Sequence, residues 1–393
     1  MRDVVIASAV RTPIGKFGGA LKDVSAPELG RVAAGAALNE VGLEPEDVDE
    51  VIMGHARQAG QGPNLARQVA FFLGVPVDRP GFTINKACAS GLKAITLACQ
   101  SIALGENEVI VAGGVEQMSQ IPYLLMNARW GYRLGGDELV DAMHRDGYFC
   151  PLADMMMGRT AEILVEEYGI SREAQDRFAL ESHRKAVHAW EQGLFDAEVV
   201  PVEAPGRRGK TVPVEEDERP RPDTSMEKLA GLPPVFKENG TVTAGNASGI
   251  TDGAAAVVVM PADRAEALGI EPLARVEAFA SAGVHPRRMG MGPVPATRKV
   301  LAETGLSLED FDLIEINEAF AGQVLAVERE LDWDVERRNV HGGAVALGHP
   351  TGCTGTRIVV TLLHAMEQRD AEMGLATLCV SGGLGMALVV RRV

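Results

Sequence analysis

The chain has 393 residues, more than one hydrophobic core usually holds, so two or three domains or lobes are expected. Hydrophobic residues make up 46% of it, aromatic residues only 5%, and glycines number 44, a composition typical of a compact α/β protein. The formal net charge of −16 argues against general binding to nucleic acid or to an anionic membrane, so a polyanionic ligand would need a local basic patch.

The cysteines and the first residues indicate the cellular compartment. The five cysteines form no CxxC pair and no Cys/His metal spacing, which favours free thiols in a reducing compartment and no metal site. Residues 3–10 already form a strand-like segment, with no signal-peptide pattern and no apolar run of about 18 residues anywhere in the chain. These features predict a soluble, cytoplasmic protein.

Strand-like and helical segments alternate along the first part of the chain. The strand-like segments are 3–10, 50–54, 81–85 and 108–114, and the helical segments between them are 26–41, 64–73 and 89–104. This alternation predicts parallel strands joined by crossover helices.

Cys88 lies where the third strand gives way to a helix, in "TINKACASGLKAITLACQ". From Leu92 onward apolar residues recur at helical spacing, so the helix should begin within a residue or two of the cysteine. A helix N-terminus stabilises a thiolate, so Cys88 is a candidate nucleophile with a lowered pKa. The alternative is a small buried hydrophobic residue, since free cysteine is often buried.

The second half of the chain resembles a copy of the first. The segment 38–49 aligns with 301–312 at a shift of 263 residues and shares seven of twelve residues with it, although shared turn chemistry is an alternative. Strand-like and helical segments then follow in the same order, at 311–317, 319–331, 353–367 and 375–383. The same shift places Thr351 opposite Cys88, in a loop that carries His349.

A segment of different composition, 120–248, separates the two halves. It holds all four Tyr, two of the three Trp and six of the fifteen Met residues, together with a charged, Pro-rich stretch, "PVEEDERPRPDT", and it breaks the alternation of strands and helices. We therefore predict an inserted lobe at 120–248 over the active-site end of the sheets. The first half would comprise 1–119 and 249–270, and the second half 271–393.

Three further residues, His349, Cys379 and Asn317, have the chemistry and the position that catalysis together with Cys88 would need. His349 precedes Pro350, which restricts its backbone, so its imidazole could serve Cys88 as general base; the alternative is a structural loop histidine. Cys379 ends an apolar strand before Ser381 and two glycines, whose N–H groups could form an oxyanion site; the alternative is a core cysteine. Asn317 follows a strand and precedes a helix, where it could orient a water molecule or cap the helix.

Four stretches together resemble the signature motifs of the thiolases: "NKACASGLKA", "INEAFAGQ", "NVHGGAVALGHPTGCTG" and "GLATLCVSGGLG". The resemblance continues nearly end to end, through "VRTPIGKFGGAL", "GGVEQMSQIPYLL", "MGRTAE" and "TVTAGNASGITDGAAAV". It implies a duplicated, layered αβαβα fold and Claisen-type acyl transfer on coenzyme A thioesters. Acetyl-CoA, 3-ketoacyl-CoA and CoA would be substrates, no cofactor or metal would be needed, and the chain would form a homotetramer or homodimer.

The resemblance also implies roles for individual residues. Cys88 would be the acylated nucleophile, His349 its base and Cys379 the acid/base for the α-carbon. Asn317 would hold a water molecule that stabilises the enolate with His349, and the N–H groups of Cys88 and Ser381 would form the other oxyanion hole. Chemistry independently requires such groups, since forming a carbon–carbon bond beside a thioester passes through an enolate.

Binding residues are implied in the same way. Coenzyme A would lie near Ser248 and Arg221, and the acyl group near Met157, Met289 and Phe320, all five of them read from motif positions. A structural role without ligand binding is the alternative for the arginine and the apolar residues, because arginines commonly lie on exposed loops and Met and Phe commonly fill cores.

Two residues depart from the family pattern. Met156 stands where short-chain biosynthetic members have histidine, which leaves room for longer 3-ketoacyl chains, and Ser381 stands where the family usually has glycine. Two alternative functions stay open at this point. A decarboxylating ketosynthase is disfavoured because Cys379 replaces a second catalytic histidine, and a non-catalytic acyl-CoA-binding protein is disfavoured because the four reactive residues occur together.

Overall fold

The computed structural model describes residues 2–393; Met1, where the predicted first half begins, lies outside the described residues. One large mixed sheet runs through the protein. From edge to edge its strands are Leu313–Ile316, Met373–Val380, Leu384–Arg392, Ala274–Gly283, Val4–Arg11, Thr251–Pro261, Ile110–Gln117, Glu50–Gly54 and Gly81–Ile84, and a short strand, Gly15–Lys16, pairs beside Thr251–Pro261.

Helices cover both halves of this sheet and fill the space between them. The long helices of the two halves are Ala26–Glu40, Leu65–Leu73, Ser90–Leu104, Pro293–Thr304, Ala321–Leu331 and Thr351–Gln368, with short ones at Ala262–Leu268 and Ala344–Leu347. Ser90–Leu104 and Thr351–Gln368 form the central layer and pack against strands of both halves. The remaining four long helices form the two outer layers, each around its own core. The predicted duplicated αβαβα fold is confirmed.

The prediction of parallel strands is only partly correct. Glu50–Gly54 pairs in parallel with both Gly81–Ile84 and Ile110–Gln117. Thr251–Pro261, which follows the lobe, lies antiparallel between Ile110–Gln117 and Val4–Arg11. The sheet is therefore mixed, because the strand that returns from the lobe enters it in the opposite direction.

The two half-sheets join through one short pairing that the sequence does not reveal. Val5 pairs with Arg275 and Ile6 with Ala274, so the first strand of each half contacts the other. Each of these strands also carries a bulge shortly after the junction, between Ile6 and Ser8 in the first half and between Val276 and Ala278 in the second. A shared irregularity at the same place supports descent of both halves from one unit.

The central helices show where the predicted alignment is wrong by one residue. A Cβ on Gly91 would lie 2.5 Å from the Thr356 Oγ1, and a Cβ on Gly355 would lie 2.4 Å from the Leu92 N. These two contacts are symmetric if Gly91 corresponds to Gly355 and Leu92 to Thr356, a shift of 264 rather than 263. The counterpart of Cys88 is therefore Gly352, not Thr351, because the second half holds one extra residue before this helix.

The central helix of the first half also corrects the expectation that the chain has no long apolar run. Residues Ala87–Leu104 are long and apolar enough, by length and composition alone, to cross a membrane. Most of this helix is buried between the two half-sheets, where it contributes to the central core. High hydropathy here is explained by burial on several sides.

The lobe between the halves combines helices with small hairpins. Its helices are Met157–Glu167, Arg172–Glu191 and Met226–Ala230, and its strand pairs are Tyr123–Leu124 with Val140–Asp141, Phe149–Cys150 with Met155–Met156, and Val202–Pro205 with Thr211–Val214. Residues of its first two helices pack into the outer core of the second half. Its hairpin Val202–Pro205 with Thr211–Val214 packs into the outer core of the first half, and Arg11 pairs with Glu198 and Asp217 of the lobe, so the lobe is fixed to both halves.

Candidate active site

Cys88 lies two residues before the central helix Ser90–Leu104, as predicted, and its side chain is only partly buried. The turn that presents it is held by Ser90, whose Oγ accepts from the Lys86 N–H at 2.8 Å and donates to the Ala87 carbonyl at 2.7 Å. Ala87 has φ of +46°, a left-handed conformation that is uncommon for a residue with a β-carbon. The backbone thus makes a sharp turn immediately before Cys88.

The pKa of Cys88 differs from the sequence-based expectation. Burial raises the pKa of this thiol above its ordinary value, and the N–H of Ser381 and the charge of Arg57 offset only part of that effect. Proximity to a helix N-terminus was predicted to lower it. Burial outweighs that effect, so the resting group is a thiol that needs a base.

His349 has the protonation state that such a base requires. Its Nδ1 lies 2.6 Å from the Thr354 Oγ1, and the Thr354 hydroxyl donates its single proton to the Pro350 carbonyl at 3.0 Å. The hydroxyl must therefore accept from Nδ1–H, which leaves Nε2 unprotonated. Burial, with the nearby charges of Arg57 and Arg357, lowers the pKa of His349 to about 3, so the imidazole is neutral at pH 7.

Asn317 faces the unprotonated nitrogen of His349. Its Nδ2 lies 3.5 Å from the His349 Nε2, and its fully buried Oδ1 has no hydrogen-bond partner among the described residues. The following helix begins only at Ala321, after Phe320, so Asn317 does not cap it. The alternative interpretation as a helix cap is wrong, and the amide remains available to a ligand.

Cys379 and Ser381 approach Cys88 from the second half. Cys379 is buried near the end of Met373–Val380, and burial together with the neighbouring Cys88 raises its pKa, so its thiol is protonated at neutral pH. The backbone N–H of Ser381 lies close enough to the Cys88 sulfur to lower the pKa of that thiol. Positive φ angles fall on Gly382 and Gly383 and not on Ser381, so the serine β-carbon creates no backbone strain in this turn.

A cavity of about 560 Å³ with mainly apolar walls opens at the surface beside this region. Cys88, His349, Cys379 and Asn317 do not line it, but its wall includes Phe320, which packs in one cluster with Cys379, and Gly249, whose carbonyl accepts from the His349 N–H. Three predicted binding residues line it, Met157, Ser248 and Phe320. Met289 is buried behind the wall, in the same apolar cluster as Phe320 and Cys379.

The lobe supplies an arginine to this cavity that the sequence analysis did not name. Arg221 is exposed and does not line the wall; its N–H donates to the His183 Nδ1 at 3.2 Å. Arg219 lines it instead, with its guanidinium packed over Gly249 so closely that a Cβ there would lie 2.0 Å from the Arg219 Cζ. Burial and the charge of Arg221 lower the pKa of Arg219.

Sequence reasoning missed a polar cluster behind Cys88, formed by His55, Arg57 and Glu116. Glu116 is fully buried and lies 3.2 Å from the His55 Nδ1 through its Oε1. His55 and Glu116 both stand at the carboxyl ends of parallel strands. The same rule that identified Asn317 would have identified them.

Comparisons with known proteins agree with this geometry. Family models for the thiolase N-terminal domain and the thiolase C-terminal domain match residues 4–263 and 270–392. The acetyl-CoA acetyltransferases of Cupriavidus necator and Escherichia coli are 52% and 53% identical to this chain, and each alignment covers 100% of both proteins.

Solved structures give the same result. The acetyl-CoA acetyltransferase of Bacillus anthracis superposes with a TM-score of 0.98 at 51% identity, covering 100% of this chain and 99% of that one. Human mitochondrial 3-ketoacyl-CoA thiolase in complex with CoA superposes with a TM-score of 0.96 at 43% identity, covering 100% and 98%. With both halves matched and identity above 40% along the whole length, the chain belongs to the thiolase family.

Proposed function

We propose that this chain is a CoA-dependent acyltransferase that cleaves 3-ketoacyl-CoA with CoA to acetyl-CoA and a shortened acyl-CoA, and that also condenses two acetyl-CoA molecules to acetoacetyl-CoA. One observation carries the proposal. Two thiols from opposite halves, Cys88 and Cys379, lie close enough for Cys88 to raise the pKa of Cys379. The charges of Arg57 and Glu116 act on both Cys88 and the neutral imidazole of His349, so the three groups share one environment. Acyl transfer through a cysteine needs a nucleophile, a base and a separate proton donor.

In cleavage, the His349 Nε2 takes the proton of Cys88, and the resulting thiolate attacks the 3-keto carbon. The N–H groups of Cys88 and Ser381 stabilise the oxyanion that forms. The bond between C2 and C3 then breaks, leaving the acyl group on the Cys88 sulfur and the electron pair on the C2 of acetyl-CoA. CoA then gives its thiol proton to Cys379, which has lost its own to the enolate, and the CoA thiolate attacks the acyl-cysteine. Cys88 leaves as a thiolate and recovers its proton from His349.

The departing acetyl-CoA enolate needs a proton and a second oxyanion site. Cys379, whose raised pKa keeps it protonated, donates that proton in cleavage and recovers it from acetyl-CoA in condensation. His349, protonated by then, and a water molecule held by Asn317 hydrogen-bond the enolate oxygen. The free, buried Oδ1 of Asn317 supports such a contact.

The cavity walls favour 3-ketoacyl chains longer than acetoacetyl. Met156 lines the cavity beside Met157 and Phe236, so an apolar side chain meets the substrate where short-chain family members place histidine. We expect kcat/KM for thiolysis of a medium-chain 3-ketoacyl-CoA to equal or exceed that for acetoacetyl-CoA. Activity confined to acetoacetyl-CoA would contradict this preference.

Coenzyme A is a substrate in this proposal, and no further cofactor takes part. Its pantetheine arm would follow the wall at Ser248, and its phosphates would meet Arg219 and Lys16, which line the same cavity, with Arg221 near the nucleotide outside. These basic residues are the local patch that an acidic protein needs to bind a polyanion.

We also propose that the protein acts in the cytoplasm as a homodimer or homotetramer. The edge strand Gly81–Ile84 has no partner on one side among the described residues, and Phe71 and Phe72 beside it are 60% and 56% exposed. Trp130 and Leu134, in the lobe, are 89% and 97% exposed. Exposed apolar groups of this size favour an interface with another copy of the chain. Light scattering of the purified protein would report the mass of the assembly.

The direct test is to detect the acyl-enzyme. Intact mass spectrometry after incubation with acetyl-CoA should show one added acetyl group per chain, located on Cys88, and Cys88→Ala should show none while still binding CoA. Tight CoA binding without an adduct or turnover would favour the non-catalytic alternative. Release of carbon dioxide from malonyl-CoA during condensation would favour the ketosynthase alternative.

A further inference from the structure

Glu116 carries a buried negative charge outside the reacting groups. It ends a strand of the first half, and its side chain is fully buried. Its Oε1 accepts from the Arg57 N–H at 3.0 Å and lies 3.2 Å from the His55 Nδ1, which Glu116 shares with the Val115 carbonyl oxygen at 3.0 Å. Its Oε2 accepts from the Ala56 N–H at 3.3 Å and from the Gly352 N–H at 2.8 Å. Both oxygens are therefore committed to donors.

One of these four donors comes from the other half of the protein. Gly352 is the second residue of the helix Thr351–Gln368, whose N-cap, Pro350, supplies no side-chain hydrogen bond. The amides of a first helical turn have no partner within the helix, and they attract a negative charge. Glu116 therefore caps, from the first half, the helix that follows His349 in the second half.

The position of this helix start determines the position of the His349 imidazole. Pro350 alone separates His349 from the helix, and the Nδ1 of His349 is held by Thr354 in the first helical turn. The fit beneath is tight, since a Cβ on Gly352 would lie 2.5 Å from the Val115 carbonyl oxygen. A displacement of Gly352 would therefore move the imidazole relative to Cys88.

We propose that Glu116 is a positioning residue that holds His349 at proton-transfer distance from Cys88 by fastening the second half of the site to the first. Glu116 acts through His349 and does not touch the substrate. This inference rests on the roles proposed above for Cys88 and His349.

Glu116→Gln tests it with little change in shape. The two carboxylate oxygens of Glu116 face four donors, whereas a glutamine side chain offers only one acceptor oxygen. Its NH2 group must therefore face either the Gly352 and Ala56 amides or the His55 and Arg57 donors. The readout is the rate at which iodoacetamide alkylates the protein without substrate, because Cys88 is partly exposed and the other four cysteines are buried. We expect Glu116→Gln to slow alkylation about 10- to 100-fold, and to lower kcat for thiolysis similarly with KM nearly unchanged.

A double-mutant comparison separates positioning from a general loss of stability. If Glu116 acts through His349, the double variant Glu116→Gln, His349→Ala should be alkylated at the same rate as His349→Ala alone. Effects that multiply in the double variant would overturn the proposal. Glu198→Gln is the matched control, since Glu198 is equally buried but binds Arg11; it should lower thermal stability and leave alkylation unchanged.

The outcomes distinguish this inference from the proposed function. If His349→Ala itself does not slow alkylation, the assignment of the base fails. If His349→Ala slows it and Glu116→Gln does not, only the role of Glu116 fails. Should Glu116→Gln not fold, Glu116→Asp takes its place in the same comparison, because the shorter side chain keeps the charge but retreats from the Gly352 N–H.

Discussion

The close contact of the two central helices leads to a quantitative prediction for Gly355→Ala. The added Cβ would lie 2.4 Å from the Leu92 N and 2.9 Å from the Leu92 Cβ, whereas ordinary contact begins at 3.4 Å. The helices must therefore separate by about 1 Å, because the nearest atom belongs to the backbone and cannot rotate away. Cys88 and His349 stand just before these two helices, so the separation also lengthens the distance between them.

Two losses should follow from that separation. Forcing an extra carbon into a packed core should lower the free energy of unfolding by about 1–3 kcal/mol. A 1 Å misplacement of catalytic groups should lower kcat for thiolysis by roughly 100-fold. Urea denaturation measures the first loss and steady-state thiolysis the second.

Gly35→Ala is the matched control for this experiment. Gly35 also lies within a helix, Ala26–Glu40, but its Cβ would meet only the Leu73 Cδ1 at 3.2 Å, the movable end of a side chain. This variant should keep kcat and unfold at a similar or higher urea concentration, since alanine favours helix over glycine by about 1 kcal/mol. A Gly355→Ala enzyme with kcat close to that of the parent would refute the claim that helix spacing sets the site geometry.

Three more predictions concern the reacting groups. Because burial raises the pKa of Cys88, its alkylation rate in the free enzyme should keep rising as pH increases beyond 8, and a plateau near pH 6 would contradict this. Cys379→Ser should still accept an acetyl group on Cys88 but should lose thiolysis by about 100- to 10,000-fold, and normal turnover would remove Cys379 as proton donor. Ser381→Gly should leave kcat almost unchanged in the thiolysis assay, since only the backbone N–H of this residue contacts Cys88; a large loss would assign a role to the hydroxyl.

Features encoded locally could be predicted from the sequence. The helix after Cys88 follows from apolar spacing, and the placement of Asn317 follows from the rule that ligand contacts gather at carboxyl ends of strands. The duplication is visible because both halves kept the same turn before the same strand. An alignment of twelve residues could not detect one extra residue downstream, so the counterpart of Cys88 was misassigned.

Features that depend on tertiary burial could not be predicted in this way. The pKa of Cys88 rises because residues distant in sequence exclude water from it, and no local pattern reports that. The choice between Arg219 and Arg221 depends on a contact with His183, which fixes the backbone of an irregular segment. Glu116 was overlooked because its donors come from two parts of the chain distant from it in sequence, residues 55–57 and Gly352.

The symmetric contact of Gly91 and Gly355 has a further consequence. In a dimer of identical chains, whatever stands on one side of a twofold axis must stand on the other, so a cysteine at the start of one helix would face a second cysteine. Here both sides belong to one polypeptide, and Gly352 occupies the place that corresponds to Cys88. Fusing two copies into one chain removes the requirement that they stay alike, so one copy can specialise in attack and the other in proton transfer.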